Sequence, residues 1–131
     1  MGHANHQALT VLLVEDEGII RMASAAILED AGYDVLEAAD AEEALTALGC
    51  HPEVDVVVTD VQMPGKLDGL KLVEVIAHDY PQVQTLITSG LTGPQEAKES
   101  GAAKFLAKPY TAAAIQSAVK AVGALALEAR K

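Results

Sequence analysis

Apolar residues along this chain fall into two kinds of pattern. Short, nearly continuous runs such as Val11-Leu12-Leu13-Val14, Val56-Val57-Val58 and Phe105-Leu106-Ala107 suit strands buried on both faces. Between them lie longer segments whose apolar positions recur at helical spacing, as with Ile115, Val119, Val122 and Leu125. Strands are expected near 9–15, 33–37, 54–59, 83–88 and 103–107, and helices near 17–31, 41–49, 68–79, 94–100 and 111–129. Alternation of this kind predicts a parallel sheet with helices on both faces.

Punctuation residues agree with the helical segments. Gly32 stops the first helix, and Asp40 with Glu43 forms a capping box opening the second. Tyr80-Pro81 closes the third, because the residue before proline is pushed out of helical conformation. Gly93-Pro94 opens the fourth and Gly101 ends it. Thr111 is the expected N-cap of the fifth. One domain over 9–127 accounts for these elements, with tails at 1–8 and 128–131.

In open α/β sheets, chemistry collects beyond the carboxyl ends of the strands. The first strand here ends in Glu15-Asp16-Glu17, the third in Asp60, the fourth in Ser89-Gly90 and the fifth in Lys108-Pro109. If the strands take the doubly wound order 2-1-3-4-5, the first and third are neighbours and their acids converge. Glu15, Asp16 and Asp60 then supply oxygens for a hard cation, Mg²⁺ or alternatively Mn²⁺. Without a cation, three close carboxylates repel, and at least one should resist ionisation. Asp60 is the candidate nucleophile, since carboxylates form aspartyl-phosphates and the turn at Met63-Pro64-Gly65 would expose it. Lys108 would neutralise charge on a transferring phosphoryl group, and Ser89 would donate a hydroxyl hydrogen bond.

Composition narrows the partners. The net charge of −10 and only four aromatic residues, Tyr33, Tyr80, Phe105 and Tyr110, argue against nucleic-acid binding. A single cysteine, Cys50, fits a reducing, cytoplasmic setting. No apolar run is long enough to span a membrane, and the first residues do not read as a signal peptide. Cys50-His51 lacks a matching pair of metal ligands, and His78 is expected in solvent. His3 and His6 fall in the expected tail. Arg21, one turn into the first helix, is either a contact for a partner or simply solvated.

Taken together, Glu15-Asp16, Thr59-Asp60-Val61-Gln62-Met63-Pro64-Gly65, Ser89 and Lys108-Pro109 make the chain resemble the response-regulator receiver domain of two-component signalling. The resemblance runs from about Leu9 to about Ala126. It implies a flavodoxin-like (βα)5 fold and Mg²⁺ on Glu15, Asp16, Asp60 and the backbone carbonyl of Gln62. It also implies a cis Lys108-Pro109 peptide and a phosphoryl group accepted by Asp60 from a histidine kinase or histidine phosphotransfer protein. Ser89 and Phe105 stand at the family's switch positions, which places the output face on the fourth helix, fifth strand and fifth helix, with Leu91, Lys104 and Tyr110 at its surface. The protein would be a monomer or a phosphorylation-dependent dimer and no enzyme beyond self-phosphorylation and slow self-dephosphorylation.

Two departures stand out. The loop before Asp68-Gly69 is one residue longer than the commonest family spacing, and phenylalanine at position 105 has no hydroxyl. Alternatives are a receiver cut from a hybrid histidine kinase, a Mg²⁺-dependent phosphohydrolase and a flavodoxin-like electron carrier. The phosphohydrolase reading expects Asp-x-Asp where Gln62 follows Asp60, and the electron carrier expects a phosphate loop where three acids stand.

Overall fold

The computed structural model describes residues 8–63, 65, 67–91 and 93–129. The elements are β1 (Thr10–Val14), α1 (Gly18–Asp30), β2 (Asp34–Ala38), α2 (Ala41–Cys50) and β3 (Val54–Asp60). They continue with α3 (Gly69–Asp79), β4 (Gln84–Ser89), α4 (Pro94–Ser100), β5 (Lys104–Ala107) and α5 (Ala112–Ala129). All five strands pair in parallel, in the order β2-β1-β3-β4-β5. This is the doubly wound flavodoxin-like arrangement that the strand–helix alternation predicts. Seven of the eight residues of the expected N-terminal tail, with His3 and His6, lie outside the described residues, as do Pro64, Arg130 and Lys131.

Alternate side chains of each central strand feed opposite layers, as the two-residue strand period requires. Val11 and Leu13 of β1 and Val56 and Val58 of β3 pack with Leu28 of α1 and Ile115, Val119 and Val122 of α5. Leu12, Val14 and Val57 pack on the other side with Leu48 of α2 and Leu72 and Ile76 of α3. Such side chains contribute roughly 1.5–3 kcal/mol each on full burial, and Val54, Val56, Val57 and Val58 of β3 are all buried. The apolar stripe of α5 ends on Ala126, which is buried, and not on Leu125, which is 49% exposed. Four residues beyond Val122 is the helical continuation of that face, so spacing decides burial here over side-chain hydrophobicity.

The expected caps form. Glu43 N–H donates to Asp40 Oδ1 at 2.8 Å, and Glu43 Oε1 accepts from Ala39 N–H at 2.8 Å. Ala114 N–H donates to Thr111 Oγ1 at 3.0 Å. Gly101 ends α4 with φ of 103°, a left-handed conformation suited to glycine. A cap that the sequence pattern did not predict is Asp68, whose Oδ1 accepts from Lys71 N–H at 2.9 Å and opens α3. At the opposite end of the sheet, β1 and β3 change register between Thr10 and Val11. Asp55 falls at that irregularity and its Oδ2 accepts the Thr10 N–H at 2.9 Å.

Candidate functional site

The strand order sets β1 against β3, with Val14 opposite Thr59. Glu15 directly follows β1, and Asp60 is the last residue of β3. Their carboxylates therefore emerge side by side at the C-terminal edge. Glu15, Asp16 and Asp60 each offer an oxygen within 4.8 Å of the others, and among the described residues they form the one such acidic or histidine–cysteine group. Glu15 and Asp60 are buried, whereas Asp16 is exposed. Cys50 and His51 take no part: Cys50 is an exposed free thiol and His51 pairs with Glu53.

Lys108 arrives from the end of β5, where the Lys108-Pro109 peptide is cis, as the resemblance implies. Lys108 N–H donates to the Ser89 carbonyl at 2.9 Å, fixing the loop against β4. Its ammonium reaches over β4 to Asp60 Oδ2 at 3.0 Å and Glu15 Oε1 at 3.1 Å. Burial alone would lower the Lys108 pKa, but the hydrogen bonds and charges of Asp60 and Glu15 outweigh it and hold the ammonium above its ordinary value. The Glu15 carboxyl is pushed up, first by burial and only in small part by the Asp60 charge, with Lys108 and the Glu17 N–H opposing. One carboxyl does resist ionisation as the sequence suggested, though desolvation is a larger cause than repulsion.

The residues fit a divalent cation on an observation of their own. Asp60 Oδ1 is buried and has no hydrogen-bond partner among the described residues. A buried carboxylate oxygen left without a donor is costly, and a cation would remove that cost. Lys108 bonds Glu15 and Asp60 and leaves the third acid of the group, Asp16, without its ammonium.

Two site residues carry contacts that sequence reasoning missed. Arg21 is neither simply solvated nor held free for a partner. Its Nη1 donates to the Glu15 carbonyl at 2.8 Å, and its Nε donates to Glu37 Oε1 on β2 at 3.1 Å. The available signal was its spacing of four from Glu17, which places it on the helix face above the acidic strand end. Gln62 brings its side chain to the site: Ser89 Oγ donates to Gln62 Oε1 at 3.2 Å. The β3–β4 pairing of Asp60 with Thr88 makes the loops after these strands adjacent, and that adjacency was the signal.

Phe105 pairs with Ile87 across β4–β5 and is half-buried against a cluster of Val61, Val73, Ile87 and Ala97. Leu91 and Lys104 are exposed, as expected of an interaction surface. Tyr110 is half-buried, less open than either. It packs on the α1–α5 side of the sheet, and its hydroxyl meets Ser24 Oγ at 3.2 Å. Tyr110 keeps the parity of Leu106 on β5, which packs in the same cluster, whereas Phe105 packs in a different one.

Comparison with known proteins agrees with this geometry. A family profile described as "Response regulator receiver domain" matches residues 11–120. The chain is 39% identical over 115 residues to "Sensor kinase CckA" of Brucella abortus, which spans 85% of this chain and 12% of that one. It is 36% identical over 104 residues to "Transcriptional regulatory protein PdtaR" of Mycobacterium tuberculosis, or 77% of this chain and 50% of that one. The chain thus spans half or less of these relatives' length. Among solved structures it resembles the chemotaxis response regulator CheY4 of Vibrio cholerae, with a TM-score of 0.79, 33% identity and coverage of 88% of this chain and 98% of that one. It also resembles NtrX of Brucella abortus, with a TM-score of 0.86, 30% identity and coverage of 94% and 28%. A charged strand-end cluster on a doubly wound sheet, matched by family over most of its length, means that this chain belongs to the response-regulator receiver domain family.

Proposed function

We propose that the domain accepts a phosphoryl group on Asp60 from a phosphohistidine of a histidine kinase or histidine phosphotransfer protein, and that this modification switches a protein-interaction surface. The observation that carries the reading is the state of the Asp60 carboxylate. It is buried at the end of β3, with Oδ2 on Lys108 and Oδ1 without a hydrogen bond among the described residues. A carboxylate oxygen approaches phosphorus as the bond from phosphorus to the donor imidazole nitrogen breaks, and the imidazole takes up a proton. Lys108 orients Asp60 beforehand and, as a permanent cation beside it, stabilises negative charge on the transferring group.

Asp16, Asp60, Glu15 and the Gln62 backbone carbonyl would hold a divalent cation, Mg²⁺ or Mn²⁺. When bound, it supplies further neutralisation of phosphoryl oxygens. Arg21 keeps the Glu15 backbone in place, so the acidic pair remains aimed at Asp60. Chemistry of this kind makes the domain a substrate that catalyses its own modification and slow hydrolysis.

A protein donor is supported by the surface beside the site. Ile19 is 86% exposed and Met22 67% exposed on α1. Ile19, with Ile20, Pro109 and Tyr110, borders a groove of about 580 Å³ that reaches Lys108. Exposed apolar surface of that extent next to a phosphoacceptor suits a helical phosphodonor. An exposed, unpaired Cys50 goes with a cytoplasmic place of action. Likeness to CheY4 along nearly its whole length supports a single-domain regulator. Likeness to a sensor kinase supports a second reading, the receiver of a larger kinase.

The test is chemical. Acetyl phosphate with Mg²⁺ should add one phosphoryl group, seen by intact mass, and Asp60→Asn should abolish the addition. Stable labelling of the Asn variant at another residue would overturn the assignment.

A further inference from the structure

The hydroxyl of Ser89 and the side chain of Gln62 meet beside the acceptor carboxylate. Ser89 Oγ accepts the Leu91 N–H at 3.1 Å and donates its hydrogen to Gln62 Oε1 at 3.2 Å. A serine hydroxyl has one hydrogen to give. While an amide oxygen holds it, the hydrogen is withheld from Asp60, whose Oδ1 has no partner among the described residues. Ser89 itself is buried, so its hydroxyl cannot exchange partners through bulk water. Gln62 is exposed, so its side chain can leave without opening the core.

We propose that Gln62 is a positioning residue whose amide oxygen restrains the Ser89 hydroxyl in the unmodified domain, so that a phosphoryl group on Asp60 gains that hydroxyl only by displacing Gln62. The inference rests on Asp60 being the acceptor. A hydrogen bond to an anionic phosphoryl oxygen is stronger than one to a neutral amide, so the exchange favours the modified state. Only the difference between the two bonds drives the change, however, and the Gln62 contact subtracts from it. Gln62 thereby sets how much phosphoryl interaction is needed to move Ser89.

Beryllium fluoride, a phosphoryl mimic, tests this in the presence of saturating Mg²⁺. Its affinity can be followed by the amide resonances of Gly90 and Leu91. Gln62→Met keeps side-chain length but removes the acceptor, and should tighten binding about threefold to tenfold, the equivalent of one neutral hydrogen bond. In a Ser89→Ala background the same substitution should change affinity by less than about twofold, because the contact it removes is already gone. Gln62→Glu retains an acceptor at the same reach and should not tighten binding. An unchanged or weakened affinity in Gln62→Met overturns the proposal, as does tightening that survives the loss of Ser89. If the unaltered domain fails to bind beryllium fluoride, the acceptor reading of Asp60 falls first and this inference with it.

Discussion

Lys108 bonds Glu15 and Asp60, and beside Glu15 in the sequence stands a carboxylate of unlike character. Glu15, its first partner, is 3% exposed and its carboxyl is pushed up mainly by burial. Asp16, next in sequence, is exposed and within ligand distance of the same group. The two adjacent acids therefore divide the work: Glu15 pairs with Lys108 from inside, and Asp16 is open to a hydrated ion. A cation that binds only the folded state at a hundredfold excess over its dissociation constant adds about 2.7 kcal/mol of stability. Asp16→Ala should erase most of the Mg²⁺-dependent rise in melting temperature, while Glu15→Ala should retain a measurable part. Equal losses, or a greater loss for Glu15→Ala, would reject this division. At this scale the acids and Lys108 were legible because a charged residue that ends an aliphatic run must sit at the sheet edge, where the strand ends converge. Arg21 and Gln62 were not legible, since their partners lie on β2 and β4 and a single sequence carries no record of such pairs.

Among the elements, α3 bears most directly on Asp60. Its first residue, Gly69, packs so closely on the end of β3 that a Cβ there would overlap the Asp60 carbonyl oxygen. The Gly69 N–H also donates to the Val61 carbonyl at 2.9 Å, closing the loop that follows Asp60. Backbone on both sides leaves no flexible group to yield. Gly69→Ala should cost about 1–3 kcal/mol, as overpacking typically does, and should lower the urea midpoint accordingly. A variant as stable as the parent would show that the longer loop before Asp68 has enough slack to absorb a methyl group. The strands were legible to within one or two residues at each end, because runs such as Val56–Val58 are too apolar for solvent on either face. One error lay within an element, where the apolar character of Leu125 outweighed the helical spacing that buries Ala126. The contact of the Tyr110 hydroxyl with Ser24 of α1 joins residues far apart in the chain, which a single sequence does not pair.

Across the whole molecule, the site and the expected output face are joined by one packed cluster. Val61 follows Asp60, Ile87 lies on β4, Ala97 on α4 and Phe105 on β5, and these side chains touch as a group. Phe105 is only half-buried, so it has room to pack more deeply if Ser89 moves toward Asp60. Leu91 is 85% exposed between β4 and α4, where such a movement would be read by a partner. Contiguity alone is not coupling: the phosphoryl group must favour one arrangement of this cluster over the other. Amide hydrogen exchange with and without beryllium fluoride measures that preference directly. Protection should change around Leu91, in α4 and along β5 at Lys104 and Phe105, as well as at the loop after Asp60. The α1 end near Ile19 and Ile20 should change less, since α1 packs with α5 rather than with the Phe105 cluster. Changes confined to α1 and α2 would reject the α4–β5–α5 face and point instead to an output through the donor-side surface.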